Sequence, residues 1–321
     1  MAELQTIWGW QPALYLFLGG LGAGTFLVCA IIHLATRNHK RVVCIGMWSA
    51  TFFLAIGLGL LLTELSAPLR ALMMWKSFSH LPSSWMAIGA WMLFAGIVLF
   101  ALSAISQTKR LCDLLNVSDD AIRKMKTLCP VIGAVLALGI AAYTGVLLRT
   151  APGVPFWNAD TLPVLFTVSA LDTGVAYTTI LLVMFDSKSH SLRYKLELCT
   201  IVLILAEIAT LILFLTFMLG GGNEFFETLE IGYRNTAASA AQTWLTGSLA
   251  APFWTMFVSV GLIAPFAIAL YSTISSSVKH EKALAITSAC CVLVGGCTLR
   301  FITLLAGAHV DIIINFAEAM L

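Results

Sequence analysis

Eight long apolar runs separated by shorter polar stretches set the pattern of this chain. They cover roughly Pro12–His33, Val42–Leu65, Trp85–Ser106, Leu128–Leu148, Pro163–Phe185, Leu196–Leu219, Pro252–Ile274 and Leu284–Ala306. At a rise of about 1.5 Å per residue, about 20 apolar residues cross a hydrocarbon core of about 30 Å. Only helices and closed barrels satisfy their backbone in lipid, and runs this long are helices. The pattern predicts an all-α integral membrane protein of eight transmembrane helices. It is read as a single membrane domain over residues 1–321, in two four-helix bundles with possible halves at 1–150 and 151–321.

Composition supports that reading. Of 321 residues, 60% are hydrophobic and 11% charged, where a soluble domain carries about 25% charged residues. A net charge of +2 gives no reason to expect nucleic acid. The opening segment MAELQTIWGWQP has no basic start and no small-residue cleavage site, so the first run is expected to be a retained helix.

Lysine and arginine orient the spans. The first, third, fifth and seventh loops hold 13 of the 18 basic residues, whereas the other loops hold Arg70, Lys76, Arg149 and Arg234. Positive charge marks the inner side, so both termini are expected outside. The stretch TAASAAQTWLTGSLAA (236–251) carries no charge and reads as a helix at the membrane interface. The third loop, QTKRLCDLLNVSDDAIRKMK, reads as a solvated connector, with SDDA as a helix cap. Gly20 and Gly24, four apart in GGLGAG, suit close helix packing or a pocket that needs close backbone approach.

Five polar residues stand where lipid disfavours them. Glu64 closes the second span. Counting along the helices puts Asp172 about 14 Å deep, Glu207 about 17 Å from the inner side, Arg300 about 9 Å and Tyr143 about 8 Å below the outer ends. This is a ladder of protonatable groups descending from an outer pocket, with Glu64, Asp172 and Glu207 as a proton path. The alternatives are that Arg300 pairs with an acid to join helices and that Tyr143 belongs to the interfacial belt. Thr144 and Gly145, both small, would leave room beside Tyr143 for a flat ligand.

Cofactor options are narrow. Of the six histidines, only His33 lies within a span, so no facing pair exists for a haem. The eight cysteines form no CxxC pair and read as small buried hydrophobes, which leaves no ligand set for a metal or an iron–sulfur cluster. Redox chemistry here would need a diffusible, lipid-soluble carrier, with the next carrier in another polypeptide.

The segment AAYTGVLLRTAPGVPFWNADTLPVLFTVSALDTG (141–174) resembles the signature of the NrfD/polysulfide reductase membrane-subunit family. ALYLFLGGLGAGTFL (13–27) resembles the first span of that family, and GGCTLRF (295–301) a third element. The resemblance implies a subunit of the cytoplasmic membrane of a bacterium or archaeon, binding menaquinone or ubiquinone near the periplasmic face. It implies a four-cluster iron–sulfur partner on that face and a molybdopterin catalytic subunit beyond it, with no haem in this chain. Tyr143 matches the quinone-pocket tyrosine in YTG. Residues around Gln11, Tyr15, Gly19 and Gly20 fall where the first span lines that pocket, and Thr144 and Trp157 stand close by in sequence.

Residue chemistry fits those roles. Tyr143 can donate to or accept from a ring oxygen, Glu64 can pass protons to the outer phase, and Arg300 can steady negative charge or hold Glu64 ionised. Pro152, Pro155 and Pro163 stiffen the loop that follows, where Phe156 and Trp157 are expected to lid the pocket and floor the partner's dock. Competing readings are the reverse electron flow or proton translocation through Asp172 and Glu207, a secondary transporter with Gly220–Gly222 ending a span early, and an inert anchor.

Overall fold

The computed structural model describes residues 9–36, 38–64, 84–116, 118–151, 153–186, 189–222, 230–274 and 281–308. Among these, eight helices are long and apolar enough to span a bilayer. They are α1 (Trp10–Thr36), α2 (Lys40–Glu64), α3 (Trp85–Gln107), α5 (Asp119–Arg149), α6 (Thr161–Phe185), α7 (His190–Leu219), a composite seventh span and α11 (Glu281–Leu305). The seventh joins α9 (Ala250–Pro252), a π-helical stretch (Phe253–Ile263) and α10 (Ala264–Ile274). Short α4 (Lys109–Leu114) and the non-spanning α8 (Glu230–Leu245) complete the set.

The spans lie where the apolar runs put them, with one correction. The third loop is not a plain connector. It folds as α4, and then α5 begins at Asp119, nine residues ahead of the expected Leu128. Ser118 stands at the N-cap position but makes no side-chain cap bond. Asp119 and Asp120 in the first turn suit the positive end of the helix dipole. Pro130 sits inside α5 without ending it.

Two rings of helices form the body. α1, α2, α3 and α5 pack in one ring, and α6, α7, the seventh span and α11 in the other. They meet along α1 and α6, with α5 and α11 reinforcing the seam. The seam exists because glycines face each other. A Cβ on Gly24 would overlap the Ala170 carbonyl, and one on Gly174 would overlap the backbone of Gly24. Without a hydrophobic drive inside lipid, such backbone contact supplies the dispersion that holds helices together. Gly261 of the π stretch and Gly295 of α11 repeat the device within the second ring. Gly145 of α5 does so against Pro163 at the start of α6, so this glycine is filled by a neighbouring backbone and does not open space beside Tyr143.

Indoles and ion pairs secure the ends. The last carbonyls of a helix lack partners within it. In α11 they are met by Trp244 Nε1 donating to Ile302 O at 3.1 Å and Trp157 Nε1 donating to Thr303 O at 2.8 Å. Phe156, Phe214, Trp244 and Phe253 pack together beneath, with ring centroids 5.1–5.8 Å apart. The expectation of a lid is therefore corrected. Phe156 and Trp157 are fully buried and root the 151–160 loop in the second ring, and Arg149 pairs with Asp160 across its base. α8 likewise turns Ala237, Ala240, Ala241 and Trp244 into the protein. At the Lys/Arg-rich end, His39 Nδ1 lies 2.6 Å from Asp186 Oδ2, and His33 bridges the Lys126 carbonyl and Gln107.

Two outcomes follow from this architecture. Gly24→Leu is expected to destabilise the detergent-solubilised protein by about 3 kcal/mol or more, because the α1–α6 backbones have no room to yield. Gly59→Leu, with open space around it, is the matched control, and thermal unfolding in detergent compares them. Asp186 is held below the usual carboxylate range, first by its hydrogen bond from His39 and then by Ser189. A lowered pKa stabilises the fold above the ordinary carboxylate value and loses that stabilisation as pH falls. Asp186→Asn should therefore cost at most about 1 kcal/mol at neutral pH, as its side chain is one-third exposed. The gap between the two proteins should close below about pH 4.

Candidate functional site

The site begins on α1. Gln11 and Tyr15 are one helical turn apart and share a side of the helix. Gln11 is half-buried and Tyr15 buried. Across from them α5 presents Tyr143, 5% exposed. Its ring is seated on α3 at Gly89, where any side chain would overlap the Tyr143 ring and hydroxyl. Gly57 of α2 lies against Tyr15 with less constraint, since an added Cβ would stand 3.6 Å from the ring, an ordinary contact. The two phenols are close enough to interact electrostatically. Among the described residues neither hydroxyl has a hydrogen-bond partner.

One turn further along α1, two glycines reach toward both rings. Gly19 faces Thr144, 3.8 Å from where its Cβ would be. Gly20 faces Ala170 at 3.2 Å and Arg300 Nη2 at 3.5 Å. Thus Tyr15, Gly19, Gly20, Tyr143, Thr144 and Arg300, far apart in sequence, form one contiguous line across the seam.

Arg300 is 1% exposed. Nη2 donates to the Phe166 carbonyl at 3.0 Å, and the guanidinium lies 4.1 Å above the Phe166 ring, a cation–π contact. Nε and Nη1 are unpartnered among the described residues. It makes no ion pair within 4 Å among the described residues; Glu207 of α7 is the acid near enough to act on it electrostatically, and Glu207 in turn acts on Asp172 of α6. Both acids are buried, and both Asp172 oxygens lack hydrogen bonds. Ser169 faces Glu207 without reaching hydrogen-bond geometry. Gly296 of α11 leaves the space that Thr173 occupies. Two carboxyl groups and one guanidinium are thus buried near one another where α6, α7 and α11 pack.

Other expected residues are placed elsewhere. Trp157 is committed to the end of α11 through Thr303 and a close fit on Gly307. Glu64 ends α2, and its side chain lies outside the described residues. The acid that Arg300 meets among the described residues is Glu207. Gly220–Gly222 do not shorten the sixth span. α7 runs to Leu219, and the positive φ of Gly221 and Gly222 (+102° and +72°) serves its C-terminal turn. Sequence reasoning missed Gly89, which has no spacing signal of its own. It also missed Glu197, which stands one residue inside the apolar run that begins at Leu196 yet falls on the same stripe as Glu207.

Comparison with known proteins agrees with this architecture. The family described as "Polysulphide reductase, NrfD" matches residues 2–311. A polysulfide reductase chain of Wolinella succinogenes is 31% identical over 327 residues, covering 94% of each protein. Protein NrfD of Escherichia coli is 27% identical, covering 94% of this chain and 95% of its own length. A selenate reductase subunit of Mesobacillus selenatarsenatis is 24% identical over 66% of this chain and 57% of its own length. A match over nearly the whole length, on a fold of eight spanning helices, means that this chain belongs to the NrfD polysulphide reductase family of integral membrane proteins.

Proposed function

We propose that this chain is the quinone-binding membrane subunit of a multi-subunit oxidoreductase. It oxidises quinol near the membrane face opposite the Lys/Arg-rich loops and passes the electrons to an iron–sulfur partner subunit. The observation that carries this reading is the pair of buried phenols, Tyr15 and Tyr143, whose hydroxyls have no partner among the described residues. Two spare phenol hydroxyls on facing helices fit the oxygen of a flat, apolar ring with a polar tip. Relatives named as parts of polysulfide and selenate reductases support a subunit of a larger reductase. The proposed setting is a bacterial or archaeal cytoplasmic membrane, with the partner and a molybdopterin catalytic subunit on the periplasmic side.

A bound quinol, of the menaquinone or ubiquinone class, would supply two electrons and two protons. The chain's own residues orient it and handle the protons. Tyr143 holds one oxygen by a hydrogen bond, and Gly89 leaves the space on α3 that the Tyr143 ring and hydroxyl occupy. Gln11 and Tyr15 line the α1 side, while Gly19, Gly20 and Thr144 keep the α1–α5 surface thin. Arg300, with free donors and an electrostatic link to Glu207, biases the site toward negative charge. Glu64, at the end of α2, is the proposed outlet for protons.

A second reading is favoured by one specific feature. Asp172 and Glu207 lie behind Arg300, and both Asp172 oxygens are unpartnered, an expensive arrangement that a protonatable pair would justify. We propose them as a proton path coupled to the redox site, whichever way the electrons flow. A transporter reading finds less support, because none of the described spans is interrupted by non-helical backbone.

Tyr143→Phe keeps the ring on Gly89 and removes only the hydroxyl. Quinol-dependent turnover of the purified complex is expected to fall at least about tenfold, while assembly is unchanged. Full activity in this variant would overturn the assigned role. Arg300→Met leaves two buried acids without their cation and should cost about 3–5 kcal/mol in detergent stability. Adding Glu207→Gln to it should recover most of that loss.

A further inference from the structure

A second polar site lies at the other end of the second ring, toward the Lys/Arg-rich loops. A partly open crevice with room for about one water molecule is lined by Glu197 and Thr200 of α7, Thr179 of α6, Ser272 of α10 and Ser288 of α11. Glu197 is 9% exposed, and its Oε1 lacks a hydrogen bond among the described residues. Ser272 Oγ donates to Oε2 at 3.0 Å. The charged and titratable groups around it are Arg193 and His190 of α7 and Glu281 of α11. Arg193 Nε stands 3.8 Å from Oε1, but the guanidinium is shared with Glu281 and His190. α6 and α10 contribute hydroxyls and no charge to the lining.

Three helices connect this crevice to the buried acids along single faces. On α7, Glu197, Thr200, Ile204 and Glu207 all lie on the buried stripe, at helical spacing. On α6, Thr179 and Ala176 lie two turns and one turn from Asp172. On α11, Ser288 and Val292 lead to Gly296 and then Arg300. Between the two polar zones sits a small apolar plug, Ala176, Ala289 and Val292. Glu197 is therefore about 10 Å along α7 from its polar end and about 15 Å along it from Glu207.

We propose that Glu197 is a proton-loading group, which takes protons from the Lys/Arg-rich side and delivers them past the plug to the Asp172–Glu207 pair. The step is a proton transfer alone. A proton from bulk water reaches the Glu197 carboxylate through the crevice, then moves to a carboxylate of the pair, and no electrons are exchanged. This inference rests on the reading of Asp172 and Glu207 as a proton path. It does not depend on quinone binding.

The test is infrared spectroscopy of the whole purified complex, with no quinone turnover involved. The protonated-carboxyl region is recorded after transfer to D₂O, for the wild type and for Asp172→Asn, Glu207→Gln, Glu197→Gln and Glu197→Asp. The expected result is a carboxyl band that either Asp172→Asn or Glu207→Gln removes. Its hydrogen–deuterium exchange should slow at least about tenfold in Glu197→Gln and recover in Glu197→Asp. Exchange at the wild-type rate in Glu197→Gln would overturn the proposal. So would the absence of any band from Asp172 or Glu207, since a pair that holds no proton has nothing to receive. Failure of the quinone reading shows up separately, as unchanged turnover in Tyr143→Phe.

Discussion

The contact between the bare backbones of α1 and α6 is the constraint on which the rest of this structure depends. Lipid is as apolar as a leucine side chain, so the two rings gain little by hiding hydrophobic surface from it. They stay joined because Gly24 and Gly174 let two helices approach without side chains between them. That approach carries Gly20 up to Ala170 and Arg300. The helix that bears Tyr15 is thereby pressed against the ring that holds Asp172, Glu207 and Arg300.

Near this seam, partnering of the buried polar side chains is incomplete. Most hydroxyls in the spans donate to carbonyls one turn back, as Thr173 and Thr303 do. Arg300 and Asp172 depart from this economy. An unpaired polar atom in a low-dielectric interior is costly. A fold that secures the carbonyls at the end of α11 with two indoles does not leave such atoms by neglect. The spare donors and acceptors cluster along the α1 seam, and the same logic recurs at Glu197 near the opposite end of the second ring.

The 151–160 loop shows how a plausible local reading is redirected by packing. Prolines and aromatic side chains after Tyr143 suggest a stiff cover with rings facing a ligand. The rings turn inward because carbonyls in the last turn of α11 accept indole N–H groups, and because Phe214 and Phe253 provide an aromatic bed. Stiffness is real, but it serves to anchor the loop.

The sequence by itself determined the eight spans, since their length and apolarity leave the backbone no other way through lipid. It also marked Tyr143, Asp172, Glu207 and Arg300, because polar residues inside such runs are conspicuous. Residue counting put Arg300 and Tyr143 at similar depth, but depth along a helix says nothing about rotation or neighbour. Only tertiary structure decided that Arg300 answers to Glu207, that Gly89 seats Tyr143 and that Trp157 caps α11. It also showed that Glu197 and Glu207 share a stripe lined with hydroxyls from three other helices. Those facts depend on which faces of separate helices are pressed together. Glycines set that at a few crossings, and their effect cannot be read along the sequence of any one helix.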